Sequence, residues 1–154
     1  MLQATGPHFC TGGRYDKKVS LLPPWWIKAQ GVYGSGYLLD RIRSASIFSI
    51  SVLQGSSIGG GLLLGLATDH CIATRSTTFR LGVARYGLSP IVMATAVLPK
   101  LVGHSFTTRM YVEDLSLDAH SAIASDVSST VLSDIQMARR EATRRALSVS
   151  STPE

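Results

Sequence analysis

The stretch that decides the fold is residues 52–67, with the sequence V-L-Q-G-S-S-I-G-G-G-L-L-L-G-L-A. Just before the glutamine, residues 46–53 alternate apolar and small polar side chains, which predicts a buried strand. Residues 62–67 are apolar at nearly every position, which predicts a short helix buried on all sides. Three consecutive glycines join the two, Gly59 to Gly61. Glycine allows backbone angles closed to other residues and lets a ligand approach the main chain.

This glycine junction suits either a tight turn or a binding site. The first N–H groups of a helix have no partner within the helix, and the helix dipole adds partial positive charge. A strand, a glycine turn and a buried helix N-terminus therefore suit a developing negative charge. The same residues also suit a turn that only joins two packed elements, so both interpretations stay open at this point.

Composition predicts one globular domain. The chain has 154 residues, of which 45% are hydrophobic, enough for a real core. The net charge of +5 owes much to a group of arginines near the C-terminus, which no aromatic residues accompany. We therefore expect no nucleic-acid partner. Two cysteines give no disulfide framework, which favours a cytoplasmic or other reducing compartment.

One uncharged stretch raises the question of a membrane span. No charged residue lies between Arg43 and Asp69, a length that could cross a bilayer. Several serines and glycines interrupt its apolar character. We therefore expect a buried strand followed by a buried helix, and no membrane span.

The rest of the chain alternates predicted strands and helices. Strands are expected over 69–74, 77–81 and 128–132, and helices over 25–43, 90–98, 104–112, 119–124 and 134–147. Pro99 should end one helix, and Asp118 should cap another at its N-terminus. Strands separated by helices indicate a layered α/β domain. We expect a single domain over residues 1–147 and a disordered tail over 148–154.

A serine hydrolase is one alternative. Residues 55–59 match G-x-S-x-G, the nucleophile elbow, with Ser57 as the nucleophile between a strand and a helix. The available partners are poor, because Asp114 and Asp118 lie close to His120 in sequence. His104 is expected to begin a helix instead.

A metal site is a weaker alternative. His8 and Cys10 could point the same way from a strand, whereas His70 and Cys71 would point to opposite faces. We expect these four to be ordinary core or surface residues and predict no metal site.

Several motifs in order carry a resemblance to a known family. Residues 9–13, F-C-T-G-G, resemble an F-C-A-G-A-D turn, and residues 55–61 followed by Asp69 resemble an N-G-x-A-x-G-G-G…D signature. Phe79 and residues 87–90, 98–103 and 117–122 continue the match. Together they resemble the enoyl-CoA hydratase/isomerase, or crotonase, superfamily over residues 9–131.

The resemblance implies a fold and a site. The fold would be α/β, a ClpP/crotonase-like spiral of β-β-α units, incomplete in this chain. The substrate would be a thioester of coenzyme A or of an acyl carrier protein, with no cofactor beyond the coenzyme A or phosphopantetheine of the substrate. The N–H groups of Gly13 and Gly60 would hold the thioester oxygen as it becomes an enolate. The implied substrate-binding residues are Phe9, Cys10, Thr11, Gly12, Gly59, Gly61, Leu63, Val83, Leu88 and Pro90.

Two departures from the family pattern bear on the reaction. Leu63 and Val83 stand where hydratases of the family carry glutamates, and Arg14 replaces the aspartate of the first turn. Without that acid and base, decarboxylation or isomerisation is expected rather than hydration. Residues 76–90 also resemble the decarboxylating members found in polyketide β-branching. The alternative is an inactive fragment or pseudoenzyme that binds acyl-CoA.

Against the family pattern the chain is shortened. An N-terminal strand with its L-N-R-P segment is missing from the match, and the helical end stops after one helix. We expect a fragment or a shortened relative, truncated at both ends. Family members are typically trimers or hexamers, so a homo-oligomer is expected if the full domain is present.

Overall fold

The computed structural model describes residues 1–13, 37–38, 40–87 and 94–150. Seven strands lie in these ranges, β1 Leu2–Gln3, β2 Ile50–Leu53, β3 Ser56–Ile58, β4 His70–Thr74, β5 Thr78–Arg80, β6 Ser116–Asp118 and β7 Thr130–Leu132. The helices there are α1, described at 37–38 and 40–44, α2 Gly60–Leu66, α3 Ala94–Val102, α4 His104–Val112, α5 Ala119–Ala124 and α6 Ile135–Ser150. A short 3-10 helix, Ala84–Tyr86, follows β5.

The strands form two sheets that the chain visits in turn. The larger sheet has the order β1-β2-β4-β7 and is parallel throughout. The smaller sheet has the order β3-β5-β6, with β3 and β5 parallel and β6 antiparallel. The chain goes from β2 to β3 and α2, and then from β4 to β5, so each pass adds one strand to each sheet. This is the predicted α/β spiral of β-β-α units.

Alternation along β2 explains why this strand is covered on both faces. Ile50 and Val52 pack with Ala138 and Ala142 of α6. Leu53 faces the other way, into the main core beside α2, where a Cβ added at Gly65 would lie 3.0 Å from the Leu53 side chain. Helix α2 thus packs on a strand that is buried on both faces.

Residues 50–66 of the uncharged stretch include a buried strand and a buried helix, as predicted, whereas residues 44–48 are exposed and lie outside the strand. The Ser51 hydroxyl, fully buried, donates to the Gly65 carbonyl at 2.9 Å and accepts from the Thr68 hydroxyl at 3.0 Å. Within the described ranges, no helix has both the length and the apolar character that crossing a membrane requires.

Four boundary predictions are wrong. The strand predicted over 46–53 begins only at Ile50, because residues 46–49 have no neighbouring strand to pair with in the described sheet. Residues 56–58, expected within a turn, form β3, because β5 supplies the partner that so short a strand needs. Pro99 lies inside α3, which runs on to Val102. The terminal helix continues to Ser150, so residues 148–150 are helical and not part of a disordered tail.

Other predictions hold or fall outside the described residues. Asp118 caps α5 by accepting the Ser121 N–H at 2.7 Å, as expected. Most of the helix predicted over 25–43 lies outside the described residues.

Candidate active site

The first glycine turn, residues 9–13, runs beside β3. The Phe9 N–H donates to the Gln54 carbonyl at 2.7 Å, and the Ile58 N–H donates to the Cys10 carbonyl at 2.9 Å. Cys10 also forms a parallel bridge with Ser57. Phe9 is buried in the main core, Cys10 is half-buried and Thr11 is exposed. The turn is therefore held along the strand that leads into the glycine junction.

Two glycines let this turn pack closely against the junction. Gly12 has φ +86°, and a Cβ there would lie 2.9 Å from the Ile58 carbonyl oxygen. A Cβ at Gly61 would lie 2.6 Å from the Cys10 Cβ and nearer still to the Cys10 carbonyl oxygen. Real Cβ atoms do not approach so closely, so a larger residue at either position would force the neighbouring backbone to shift. The two glycine motifs of the sequence are neighbours in the fold.

The main chain at Gly60 is exposed at the start of α2. Gly59, with φ 58° and ψ −122°, turns the chain into the helix in a conformation that favours glycine. A Cβ added at Gly60 would meet no described atom within 4 Å. The Gly60 N–H donates to no described residue, and Gly13, at the end of the first turn, is exposed. An N–H that has no partner among the described residues and lies beside open space can donate to a ligand oxygen.

The side chains near this junction are apolar. Leu63, one turn along α2, is buried in the main core, and Val83 is half-buried against the same core. Neither can exchange a proton with a substrate. Leu88 and Pro90, predicted to bind substrate, lie outside the described residues, as does Arg14.

Sequence reasoning missed one polar contact near the junction. The Asp114 carboxylate forms an ion pair with Arg80 and accepts the Gly82 N–H at 3.0 Å. The Arg80 guanidinium is the main cause that holds the pKa of Asp114 below its usual range. These residues lie 34 positions apart, so no local pattern pointed to the pair.

The structure removes the basis for a serine hydrolase. Ser57 is fully buried in the middle of β3 and not exposed on a turn after the strand. A nucleophile elbow needs an accessible hydroxyl. The G-x-S-x-G match is therefore a coincidence of small residues.

The candidate metal ligands are occupied in other ways. His8 Nδ1 accepts the Ser56 N–H at 3.0 Å, and His70 Nε2 meets Arg145. Burial raises the pKa of the Cys71 thiol to about 11. In the described part of the chain, no three His, Cys, Asp or Glu side chains gather as a metal site requires.

Comparison with known proteins identifies the class to which this fold and site belong. The profile of the Enoyl-CoA hydratase/isomerase family matches residues 2–153. The chain belongs to this family, the crotonase superfamily, as its motifs predicted.

Individual relatives are similar to the chain over part of their length. Bacillaene synthase decarboxylase PksI of Bacillus subtilis is 32% identical over 78 residues, which cover 51% of this chain and 29% of that protein. Enoyl-CoA isomerase/hydratase fer4 of Mycosarcoma maydis is 25% identical over 124 residues, covering 79% of this chain and 44% of that protein.

A solved structure shows the fold. The crystal structure of enoyl-CoA hydratase from Bacillus halodurans superposes with a TM-score of 0.90 at 19% identity, covering 98% of this chain and 61% of that one. The fold is therefore the crotonase fold. The chain spans less than two thirds of each of these three relatives.

Proposed function

We propose that this chain processes acyl thioesters by stabilising a thioester enolate, and that it decarboxylates or isomerises its substrate rather than hydrating it. The N–H groups of Gly13 and Gly60 would donate to the thioester oxygen as it gains negative charge. One observation carries the proposal: the main chain at Gly60 is exposed and its N–H has no partner among the described residues, while both family glutamate positions hold apolar residues of the main core. Hydration needs one group to deprotonate water and another to protonate carbon. Leu63 and Val83 can do neither.

Decarboxylation generates an enolate without a protein base. The bond between the carboxylate carbon and the acyl chain breaks, its electron pair moves into the thioester, and CO₂ leaves. One proton from solvent then returns to carbon, so a hydrogen replaces the carboxylate in the product. The protein has to stabilise the oxyanion, and removing one such donor from other enzymes costs roughly 3 to 4 kcal/mol of transition-state stabilisation.

Membership of the family supports an acyl thioester as the substrate class. Either coenzyme A or an acyl carrier protein would present the acyl group, and the chemistry calls for no further cofactor. The name of PksI, a decarboxylase of bacillaene synthase, supports decarboxylation. The name of fer4, an isomerase/hydratase, supports isomerisation through the same enolate. That reaction moves a proton from one carbon to another, so a group other than Leu63 and Val83 would have to carry the proton.

The test compares two thioesters. Glutaconyl-CoA carries a carboxylate whose loss gives a conjugated enolate, and mass spectrometry detects the loss of CO₂. Crotonyl-CoA reports hydration through the loss of its conjugated thioester absorbance. We expect decarboxylation of the first and no hydration of the second above background. Robust hydration would contradict the proposal.

A variant of the glycine junction tests the proposed donor. Gly60→Val should lower decarboxylation by about 10² to 10³-fold, because its branched side chain fills the space before the N–H. Gly6→Val is the matched control, since a Cβ at Gly6 also meets no described atom within 4 Å. Equal activity of the two variants would exclude Gly60 as a donor.

A binding module is the second candidate. The same apolar Leu63 and Val83 favour it, since a pocket without acid or base can hold a thioester without turning it over. Calorimetry with a panel of acyl-CoAs separates the candidates. Binding without turnover supports the module, and no binding to any acyl-CoA overturns both.

A further inference from the structure

We propose that Asp114, acting through Arg80 and Gly82, is a positioning residue for the thioester site. It holds two backbone segments of that site, the one before Gly60 and the one before Val83. This inference rests on the proposed function for the identity of the site. Asp114 itself lies in the turn between α4 and β6 and contacts neither glycine turn directly.

The Asp114 carboxylate makes two contacts at once. It pairs with the Arg80 guanidinium and accepts the Gly82 N–H at 3.0 Å. Its backbone has φ 51°, a left-handed conformation that is uncommon outside glycine. A side chain in such a turn is held in a defined direction when its carboxylate has two fixed donors. The carboxylate stays ionised at neutral pH, because its partners hold the pKa of Asp114 below its usual range.

The ion pair of Asp114 and Arg80 is connected to the glycine junction through the Arg80 backbone. The Arg80 carbonyl accepts the Gly59 N–H at 2.9 Å. Gly59 directly precedes Gly60 and sets the direction in which α2 begins, at φ 58°. The side chain of Arg80 is fixed by Asp114 while its backbone fixes Gly59. The direction of the Gly60 N–H therefore depends on the end of β5 that Asp114 holds.

Through Gly82 the same carboxylate reaches the apolar side of the site. Gly82 has φ +66°, and a Cβ there would lie 2.9 Å from Ile58 Cγ2. The Gly82 backbone is thus seated against the end of β3, and Val83 follows it directly. The Asp114 carboxylate therefore holds both the backbone that precedes Gly60 and the backbone that precedes Val83.

Asp114→Asn tests this arrangement with little change of shape. Asparagine keeps an oxygen for the Gly82 N–H and tolerates a left-handed backbone, but it removes the charge that holds Arg80. We expect kcat for glutaconyl-CoA to fall about 10 to 100-fold with little change in KM, because misplaced donors weaken transition-state binding. Arg80→Gln should give a similar loss, and the double variant no further loss, since both act through one contact.

A second readout does not depend on turnover. Amide hydrogen exchange of the peptide that covers Gly59 to Gly61 should become faster in Asp114→Asn. Asp126→Asn is the matched control, because Asp126 is exposed and also left-handed, with φ 57°. It should leave both kcat and exchange unchanged. If Asp114→Asn fails to fold, Arg80→Lys takes its place.

The outcomes separate this inference from the proposed function. Unchanged exchange at Gly59 to Gly61 overturns the positioning role, whatever the turnover. Faster exchange with unchanged kcat also overturns it, since the contact would then be structural only. If the unmodified chain turns over no thioester while exchange still rises in Asp114→Asn, the proposed function fails and the contact to the junction stands.

Discussion

Cys10 packs against Gly61 with no room for a side chain between them. A Cβ built at Gly61 would lie 2.6 Å from the Cys10 Cβ, far inside van der Waals contact. The two residues are 51 positions apart in sequence, yet this contact holds the first glycine turn against the N-terminus of α2. A glycine at position 61 is therefore required for packing, independently of any ligand.

Gly61→Ala should destabilise the protein by about 1 to 3 kcal/mol, because the new methyl group overlaps the Cys10 backbone. Helix propensity alone predicts the opposite sign, a gain of about 1 kcal/mol from Gly to Ala. Urea denaturation measures the free energy of unfolding. Gly60→Ala is the matched control, since a Cβ there has open space, and it should be neutral or slightly stabilising. A stabilised Gly61→Ala variant would show that the residues around Cys10 can move to make room for the methyl group.

Ser57→Ala should leave stability unchanged or raise it. The Ser57 hydroxyl is buried and has no hydrogen-bond partner among the described residues. Its removal therefore relieves the desolvation penalty of burying that hydroxyl and breaks no described hydrogen bond. Ser51→Ala is the comparison, because the Ser51 hydroxyl bonds Gly65 and Thr68, and its loss should cost about 1 kcal/mol. Thermal denaturation of both variants measures the difference. A fluorophosphonate probe that labels Ser57 would contradict its burial and revive the hydrolase hypothesis.

Stability should fall as the pH is lowered through the range in which histidine titrates. Burial, followed by the charge of Arg145, lowers the pKa of His70 from 6.5, and Glu141 opposes this shift. The unfolded chain then binds more protons than the folded chain as the pH drops below about 6.5, so the free energy of unfolding decreases. Protonation also removes the acceptor that His70 Nε2 offers to Arg145 of α6.

Melting temperatures between about pH 7.5 and 5.5 measure this effect. His70→Gln keeps an acceptor for Arg145 but cannot gain a proton in this range, so its melting temperature should depend less on pH. His120→Gln, at an exposed position on α5, controls for the loss of one imidazole. An unchanged pH dependence in His70→Gln would exclude His70 as the cause.

The sequence by itself determined the elements whose signals are local. The alternation through Val52 predicted β2, the apolar run after Gly61 predicted α2, and Asp118 was recognised as an N-cap from its place before Ala119. Such signals depend on residues within one or two turns of the chain. The ordered motifs from Phe9 to Asp69 also predicted the family. The roles of Gly13 and Gly60, the acyl carrier and the oligomeric state stay predictions.

Only the tertiary structure decided the features that depend on distant partners. β3 is too short to be specified by its own three residues and forms because β5 lies beside it. Ser57 is buried for the same reason, although its local pattern matches that of a nucleophile. Asp114 finds Arg80 and Gly82 across more than thirty positions of the chain. No local period encodes such contacts, because their energy comes from neighbours that only the folded chain brings together.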